Sequence, residues 1–350
     1  TMKRLIPAIC GIAMGFAASS AMAADKVTLQ LKWVTQAQFA GYYAALDQGF
    51  YDEEGLNVTI QPGGPDINPL QLLISGETDI AIQAMGPTLA ARDAGAEVVA
   101  IGQVFERGGY RLLHFDDAGI SSVDDWPGKT IGLWFGFQPP VSAAMSKFGY
   151  DVDTDATVFN QGFDMLAFLD GQIDLASAMT YNEYAQVLAG NTSDREVVLW
   201  DPNEEGTSVG EDTLVTTESW LSANPDAAEG FIGATARGWI YCRDNPESCI
   251  DIVLAAGTAL PRDFQTWQMN EVNKLIWPST NGLLNVTADM FSQGADILFN
   301  YGVIENEASK DAYDLSFRDR ALADFSDEDL FGADFTGLDL DPTELFGGGG

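Results

Sequence analysis

The chain has 350 residues and sets 17 Lys and Arg against 52 Asp and Glu, a formal charge of -35, with one His and three Cys. A 46% hydrophobic composition is enough for a sizeable globular core, while the acidic excess argues against nucleic acid or an anionic membrane surface as a partner. Because His114 is the only histidine, a multi-histidine metal site is excluded, and a Ser/His/Asp triad would have to rest on that residue alone.

Lys3 and Arg4 precede an apolar run from Leu5 to Ala18, and Ala21-Met22-Ala23 supplies small residues for cleavage. This reads as a secretory signal over residues 1–23, cut near Ala23/Ala24, because the run is shorter than the roughly 20 residues that cross a bilayer. Cleavage leaves 15 bases against 52 acids and places the protein outside the cytoplasm, with no stable membrane insertion. Of the cysteines, Cys242 and Cys249 remain; an oxidising compartment would allow them to pair across a short loop, the alternative being two unpaired thiols.

From Val27 onward, β-rich runs alternate with helical segments. Strands are expected at 27–33, 56–61, 79–83 and 98–105, with helices at 39–48, 68–74 and 88–94. The pattern repeats through strands at 129–134, 157–160 and 173–179 and helices at 140–148 and 164–169. Such alternation predicts an α/β fold with parallel strands and crossover helices. One internal echo sets Ser75-Gly76-Glu77-Thr78-Asp79-Ile80-Ala81 against Asp170-Gly171-Gln172-Ile173-Asp174-Leu175-Ala176, which suggests two related lobes. After a short run at 214–216 the chain turns helical, over 225–241, 248–256, 264–276 and 288–301. Residues 323–350 interleave acids with single apolar residues and read as a flexible acidic tail.

Ligands of open α/β sheets lie beyond the carboxyl ends of the parallel strands. The residues expected there are Trp33, Gln38 and Tyr42 after the first strand and Gln83 and Met85 after the third. The second half of the chain adds Trp134, Phe135, Tyr181, Asn182 and Glu183. Rings, amides and a carboxylate suit a small planar heteroaromatic compound, which needs faces to stack on and paired donors and acceptors at its edge. Each also has a structural reading: Trp33 as core, at most one of Tyr42 and Tyr43 facing a cleft, and Glu183 as an acid at a helix start. Gly63-Gly64-Pro65-Asp66 reads as a turn, and His114 as a strand residue without a chemical role.

The segments Leu31-Lys32-Trp33, Gln38-Phe39-Ala40-Gly41-Tyr42-Tyr43 and Glu54-Gly55-Leu56-Asn57-Val58 resemble a known family, as does Tyr181-Asn182-Glu183-Tyr184. The chain is similar over roughly residues 27 to 320 to periplasmic solute-binding proteins related to the fungal thiamine-pyrimidine synthases, within the broader sulfonate-binding superfamily. The resemblance implies a two-lobed periplasmic-binding-protein fold of type II, each lobe a sheet flanked by helices about a hinge. Lobe one would comprise 24–115 plus 215–322, and lobe two 116–214. It further implies a monomer that serves an ABC permease and ATPase and binds an aminopyrimidine thiamine precursor. Trp33, Tyr42 and Glu183 would hold the pyrimidine ring. Riboflavin, then taurine or another alkanesulfonate, are the alternative ligands. The synthases' pyridoxal phosphate lysine and histidine donor are replaced here by Gln83 and Pro87, and their cysteine-rich motif is missing, so the resemblance implies neither cofactor nor catalysis.

Overall fold

The computed structural model describes residues 24–134, 136–257, 259 and 261–346. The expected signal segment, Phe135 and the last four glycines lie outside the described residues. The strands are β1 (Asp25–Gln30), β2 (Leu56–Gln61), β3 (Ile80–Gln83), β4 (Val98–Gln103), β5 (Tyr110–Phe115), β6 (Thr130–Leu133), β7 (Thr157–Asn160), β8 (Leu175–Met179), β9 (Val197–Trp200) and β10 (Thr213–Thr217). They form two five-stranded sheets, ordered β2-β1-β3-β10-β4 and β7-β6-β8-β5-β9. Helices flank both sheets, as the alternating pattern predicts.

The two orders are the same order twice, and the internal echo falls at equivalent places, just before β3 and β8. Asp79 and Asp174 perform one task in the two sheets. The Asp79 carboxylate accepts from the Thr28 N–H at 2.7 Å, and that of Asp174 from the Thr130 N–H at 2.8 Å. Each pins the entry of one strand to its parallel neighbour, at Thr28 within β1 and at Thr130 where β6 begins.

The expectation of uniformly parallel strands is corrected at two positions. β10 runs antiparallel to β3 and β4, and β5 antiparallel to β8 and β9. Both reversed strands directly follow a passage from one sheet to the other, where no crossover helix is needed to restore direction. The same pairing places β5 in the second sheet. The expected boundary after residue 115 therefore falls one strand late, and the passages occupy 104–109 and 201–212.

Those two passages are bound to each other. The Val104 N–H donates to the Asp212 carbonyl at 3.0 Å. The Asn203 amide both accepts from the Gly108 N–H and donates to the Gly108 carbonyl. The Gly109 and Tyr110 N–H groups donate to the Glu211 carboxylate at 3.1 and 3.2 Å. A Cβ on Gly108 would meet Ser208 and Glu211, and one on Gly109 would stand 2.9 Å from Leu275 and Tyr181. Glycine is required here by the closeness of the opposing chain.

Around the first sheet the helix Ala40–Asp47 lies against the long helix Pro225–Asp244. A Cβ on Gly41 would enter the Trp239 ring, and one on Gly238 would enter the Gly41 carbonyl. Trp239 fills the space between the helices and is fully buried. Cys242 and Cys249 form a disulfide that joins this helix to Pro246–Ala256, with Cα atoms 5.4 Å apart. The pairing expectation therefore holds, as a local staple.

The expected flexible tail is a second correction. Phe325, Leu330 and Phe335 pack on the main core, and the Ser279 and Leu283 N–H groups donate to the Phe331 and Leu330 carbonyls. Asn270 and Leu338 exchange two hydrogen bonds, and the Phe346 ring lies 4.8 Å from Phe264. The apolar residues interleaved among the acids find a core built by the preceding helices, while acids such as Asp327, Glu328 and Asp334 stay exposed. Lacking a core of its own does not free a segment that can borrow one.

Substituting Gly238→Ala would force apart the two helices that meet at Gly41, and a loss of about 1–3 kcal/mol is expected. Urea unfolding checks this; an unchanged midpoint would mean that the helix pair yields without cost.

Candidate functional site

A cavity of about 590 Å³ lies between the sheets, within the range of small-molecule sites. Its walls come from the carboxyl ends of parallel strands in both sheets, from Tyr110 on β5 and from the 201–212 passage. After β1 the chain delivers Lys32, Trp33, Gln36 and Gln38, and after β3 Gln83 and Ala84. β6 delivers Trp134, β7 Gln161 and Phe163, and β8 Tyr181, Asn182 and Glu183.

The aromatic wall is continuous across the gap between the sheets. Trp33 and Phe163 have ring centroids 4.9 Å apart, Phe163 and Trp134 6.3 Å, and Trp134 and Phe137 5.6 Å. Tyr110 stands 4.9 Å from Phe137. Two backbone features hold the wall in place. Gly63 packs on the backbone of Leu31–Trp33, leaving no room for a Cβ, and its N–H donates to the Trp33 carbonyl at 2.9 Å. The Trp134 indole N–H donates to the Gly162 carbonyl at 2.9 Å, which orients the ring.

The polar wall is organised around three buried carboxylates. Asp212, at a left-handed φ of 52°, pairs with Lys32 at 2.6 Å and accepts from the Gln38 amide at 3.1 and 3.2 Å. Glu183 opens the helix Glu183–Gly190. Its carboxylate accepts from the Met179 N–H at 3.0 Å and the Asn182 amide at 2.6 Å. Burial raises its pKa above the ordinary carboxylate range, against the lowering effect of those bonds. Glu211 is likewise pushed up by burial, with Lys32 opposing and the neighbouring Asp212 reinforcing the shift. The Tyr181 hydroxyl is held far above its usual range, by burial first and by the nearby carboxylates second.

Seven of the residues expected from sequence line this cavity: Trp33, Gln38, Gln83, Trp134, Tyr181, Asn182 and Glu183. Two do not. Tyr42 is buried, edge-on to Trp239 with centroids 5.7 Å apart, because the close helix crossing draws its face into the core. Met85 packs with Leu89, Phe291 and Leu298, its sulfur in the space a Cβ on Gly294 would need. Tyr43, the other half of the adjacent pair, is tied to Thr35 at 2.9 Å. Phe135 lies outside the described residues. For Glu183 both readings hold together, since it ties Met179 and Asn182 into a helix start and also lines the cavity. His114 sits within β5, its imidazole 2.9 Å from the Phe115 carbonyl.

The sequence reading omitted Phe163, Tyr110 and Glu211. Phe163 follows a strand end in Asn160-Gln161-Gly162-Phe163, a position comparable to that of Trp33, and that signal was available. Glu211 lies in a loop with no periodic signal, and only the pairing of the two passages reveals it.

The sequence profile of the NMT1/THI5 like family matches residues 36–249. A 4-amino-5-hydroxymethyl-2-methylpyrimidine phosphate synthase of Aspergillus parasiticus is 25% identical over 69% of this chain and 75% of its own length. The riboflavin-binding protein RibY of Chloroflexus aurantiacus is 25% identical over 66% of each chain. The formylaminopyrimidine-binding protein of Halalkalibacterium halodurans is 23% identical over 68% of this chain and 72% of its own. In structure, the periplasmic aliphatic sulphonate binding protein SsuA from Escherichia coli aligns with a TM-score of 0.65 over 91% of this chain and 96% of its own, at 17% identity. That likeness concerns the fold, two mixed sheets flanked by helices. With 36–249 covering more than half its length, the chain belongs to the NMT1/THI5-like family.

Proposed function

We propose that the protein is the exported solute-binding component of an ABC importer, and that it captures a small heteroaromatic solute of the aminopyrimidine, thiamine-precursor class in the cavity between the sheets. The observation that carries this reading is the aromatic wall running from Trp33 through Phe163 to Trp134 and Phe137, faced by Tyr181, Asn182 and Glu183. Ring faces stack a planar solute, while the amide and carboxylate pair with donors at its edge. A binding protein and a synthase among the relatives both carry a pyrimidine in their names, which supports the same class.

The residues favour binding over synthesis. Lys32 is the only amine among the described lining residues, and it is engaged by Asp212. Gln83 and Pro87, which stand where the resemblance places the synthases' lysine and histidine, both line the cavity. The Lys32–Asp212 pair also disfavours a sulfonate, because an anion would have to compete with Asp212 for that ammonium. Flavin is the second reading, favoured by the RibY relative and by the breadth of the aromatic wall.

Uptake would proceed by hinge closure about 104–109 and 201–212, a ligand touching both lobes favouring the closed state over the open one. Lobe one would be the part built on the first sheet with the C-terminal helices, and lobe two the part on the second sheet. The site, which touches the 201–212 passage, is completed by closure.

Thermal unfolding with 4-amino-5-hydroxymethyl-2-methylpyrimidine, riboflavin and taurine tests the assignment. At about 100 times Kd a ligand adds roughly 2.7 kcal/mol, a shift of several degrees. The pyrimidine is expected to produce it. A shift with riboflavin alone moves the assignment to flavin, and one with taurine alone overturns the site.

Trp33→Ala and Glu183→Ala are each expected to weaken pyrimidine binding by about tenfold or more in calorimetry, with a cooperative unfolding transition retained. Unchanged affinity in both variants would remove this cavity as the site.

A further inference from the structure

We propose that the cavity selects a cationic ligand, and that Glu211 is the residue that reads the charge. This deepens the solute-binding reading and rests on it.

The argument begins with the charges around the passages. Lys32, just after β1, is paired with Asp212 at 2.6 Å. Arg111, on β5, is paired with Asp201 at 2.8 Å and donates to the Gly108 and Tyr110 carbonyls. Each of these two bases is thus matched by an acid, while Arg107, on the 104–109 passage, is held by the Lys274, Trp277 and Pro278 carbonyls and is not among the residues that line the cavity. Glu183 and Glu211 remain, both buried, and the hydrogen bonds they accept come from neutral groups: the Met179 N–H and Asn182 amide for one, the Gly109 and Tyr110 N–H groups for the other. An N–H dipole orients a carboxylate but does not neutralise it. The cavity is therefore short of positive charge.

The two carboxylates differ in how far the protein relieves that shortage. Glu183 stands in the first turn of the helix Glu183–Gly190, where the helix dipole offsets part of its charge. Glu211 lies in no helix. Its immediate neighbour is Asp212, and the bases that feel its charge, Lys32 and Arg111, are each paired with another carboxylate. The Tyr181 and Tyr110 rings line the same part of the cavity, and both hydroxyls feel the Glu211 charge. Aromatic faces beside an uncompensated carboxylate form a surface that takes an ammonium or protonated ring nitrogen.

The passages give this contact a second consequence. Glu211 belongs to one passage and accepts from the backbone of the other. A cation held against it would bind both chains where they cross between the sheets.

Two isosteric probes test the inference by isothermal titration at about pH 7.5, where an aliphatic ammonium is charged. These are 4-amino-5-aminomethyl-2-methylpyrimidine, which carries the ammonium, and its neutral 5-hydroxymethyl counterpart. The ammonium probe is expected to bind roughly tenfold tighter or better. Glu211→Gln should collapse that ratio to about one, while Glu183→Gln keeps the larger part of it. Equal or weaker binding of the ammonium probe by the unaltered protein overturns the inference while leaving the aminopyrimidine reading in place. Collapse of the ratio in Glu183→Gln alone transfers the role to that residue and overturns the assignment to Glu211. Binding of neither probe removes the aminopyrimidine reading and the charge assignment with it. The ratio in the unaltered protein requires no variant, so the test survives if Glu211→Gln fails to fold.

Discussion

Two stretches of chain cross between the sheets, and where they meet, at Val104, Gly108 and Gly109 against Glu211 and Asp212, they are buried and must keep their backbone groups paired. Glu211 meets that constraint by accepting from the consecutive Gly109 and Tyr110 N–H groups, where the opposite passage enters β5, with Asn203 bridging the passages at Gly108. The same requirement explains Gly108-Gly109, where side chains would collide with Ser208, Glu211, Leu275 and Tyr181. A carboxylate, rather than a neutral acceptor, at this crossing also charges the cavity it faces. Backbone satisfaction and the electrostatics of the site are therefore one feature of the structure.

The repeated strand order explains why the site lies where it does. In each sheet three parallel strands, β1, β2 and β3 in one and β6, β7 and β8 in the other, end toward the gap, so the loops following β1, β3, β6 and β8 converge there. Asp79 and Asp174 fix these loops from behind by holding the entries of β3 and β8 to their neighbours. The reversed strands β5 and β10 then close each sheet with chain that has just arrived from the other. The sheets are joined by the two passages, 104–109 and 201–212.

Much of this was legible in the sequence. The strand–helix alternation, the glycine stops before Asp79 and Asp174, and the aromatic and amide residues at strand ends required only local periodicity and turn chemistry. Tyr42 and Met85 were misplaced because their direction is set by helix partners hundreds of residues away, Trp239 and Gly294. The reversal of β5 and β10 was hidden because direction is decided by pairing, which a short apolar run does not encode. The tail was misread for a related reason: composition reports whether a segment can bury itself, and says nothing of a surface offered by Trp277, Lys274 and Asn270 elsewhere.

The acidic character of the whole chain and that of its cavity have different origins. Exposed acids such as Glu53, Asp244 and Glu247 meet arginines at the surface, where each pair contributes little and is screened by salt. The half-buried Lys32 forms a unit with the buried Asp212 and Gln38, and removing the lysine would leave the Asp212 charge without its partner out of water. This unit occupies the one basic side chain among the described lining residues and so denies the cavity a counter-ion for anions. What is left facing the aromatic wall is carboxylate oxygen and amide. The surface charge leaves open what the protein binds; the pairing of a single lysine inside it disfavours an anion, as the proposed function requires.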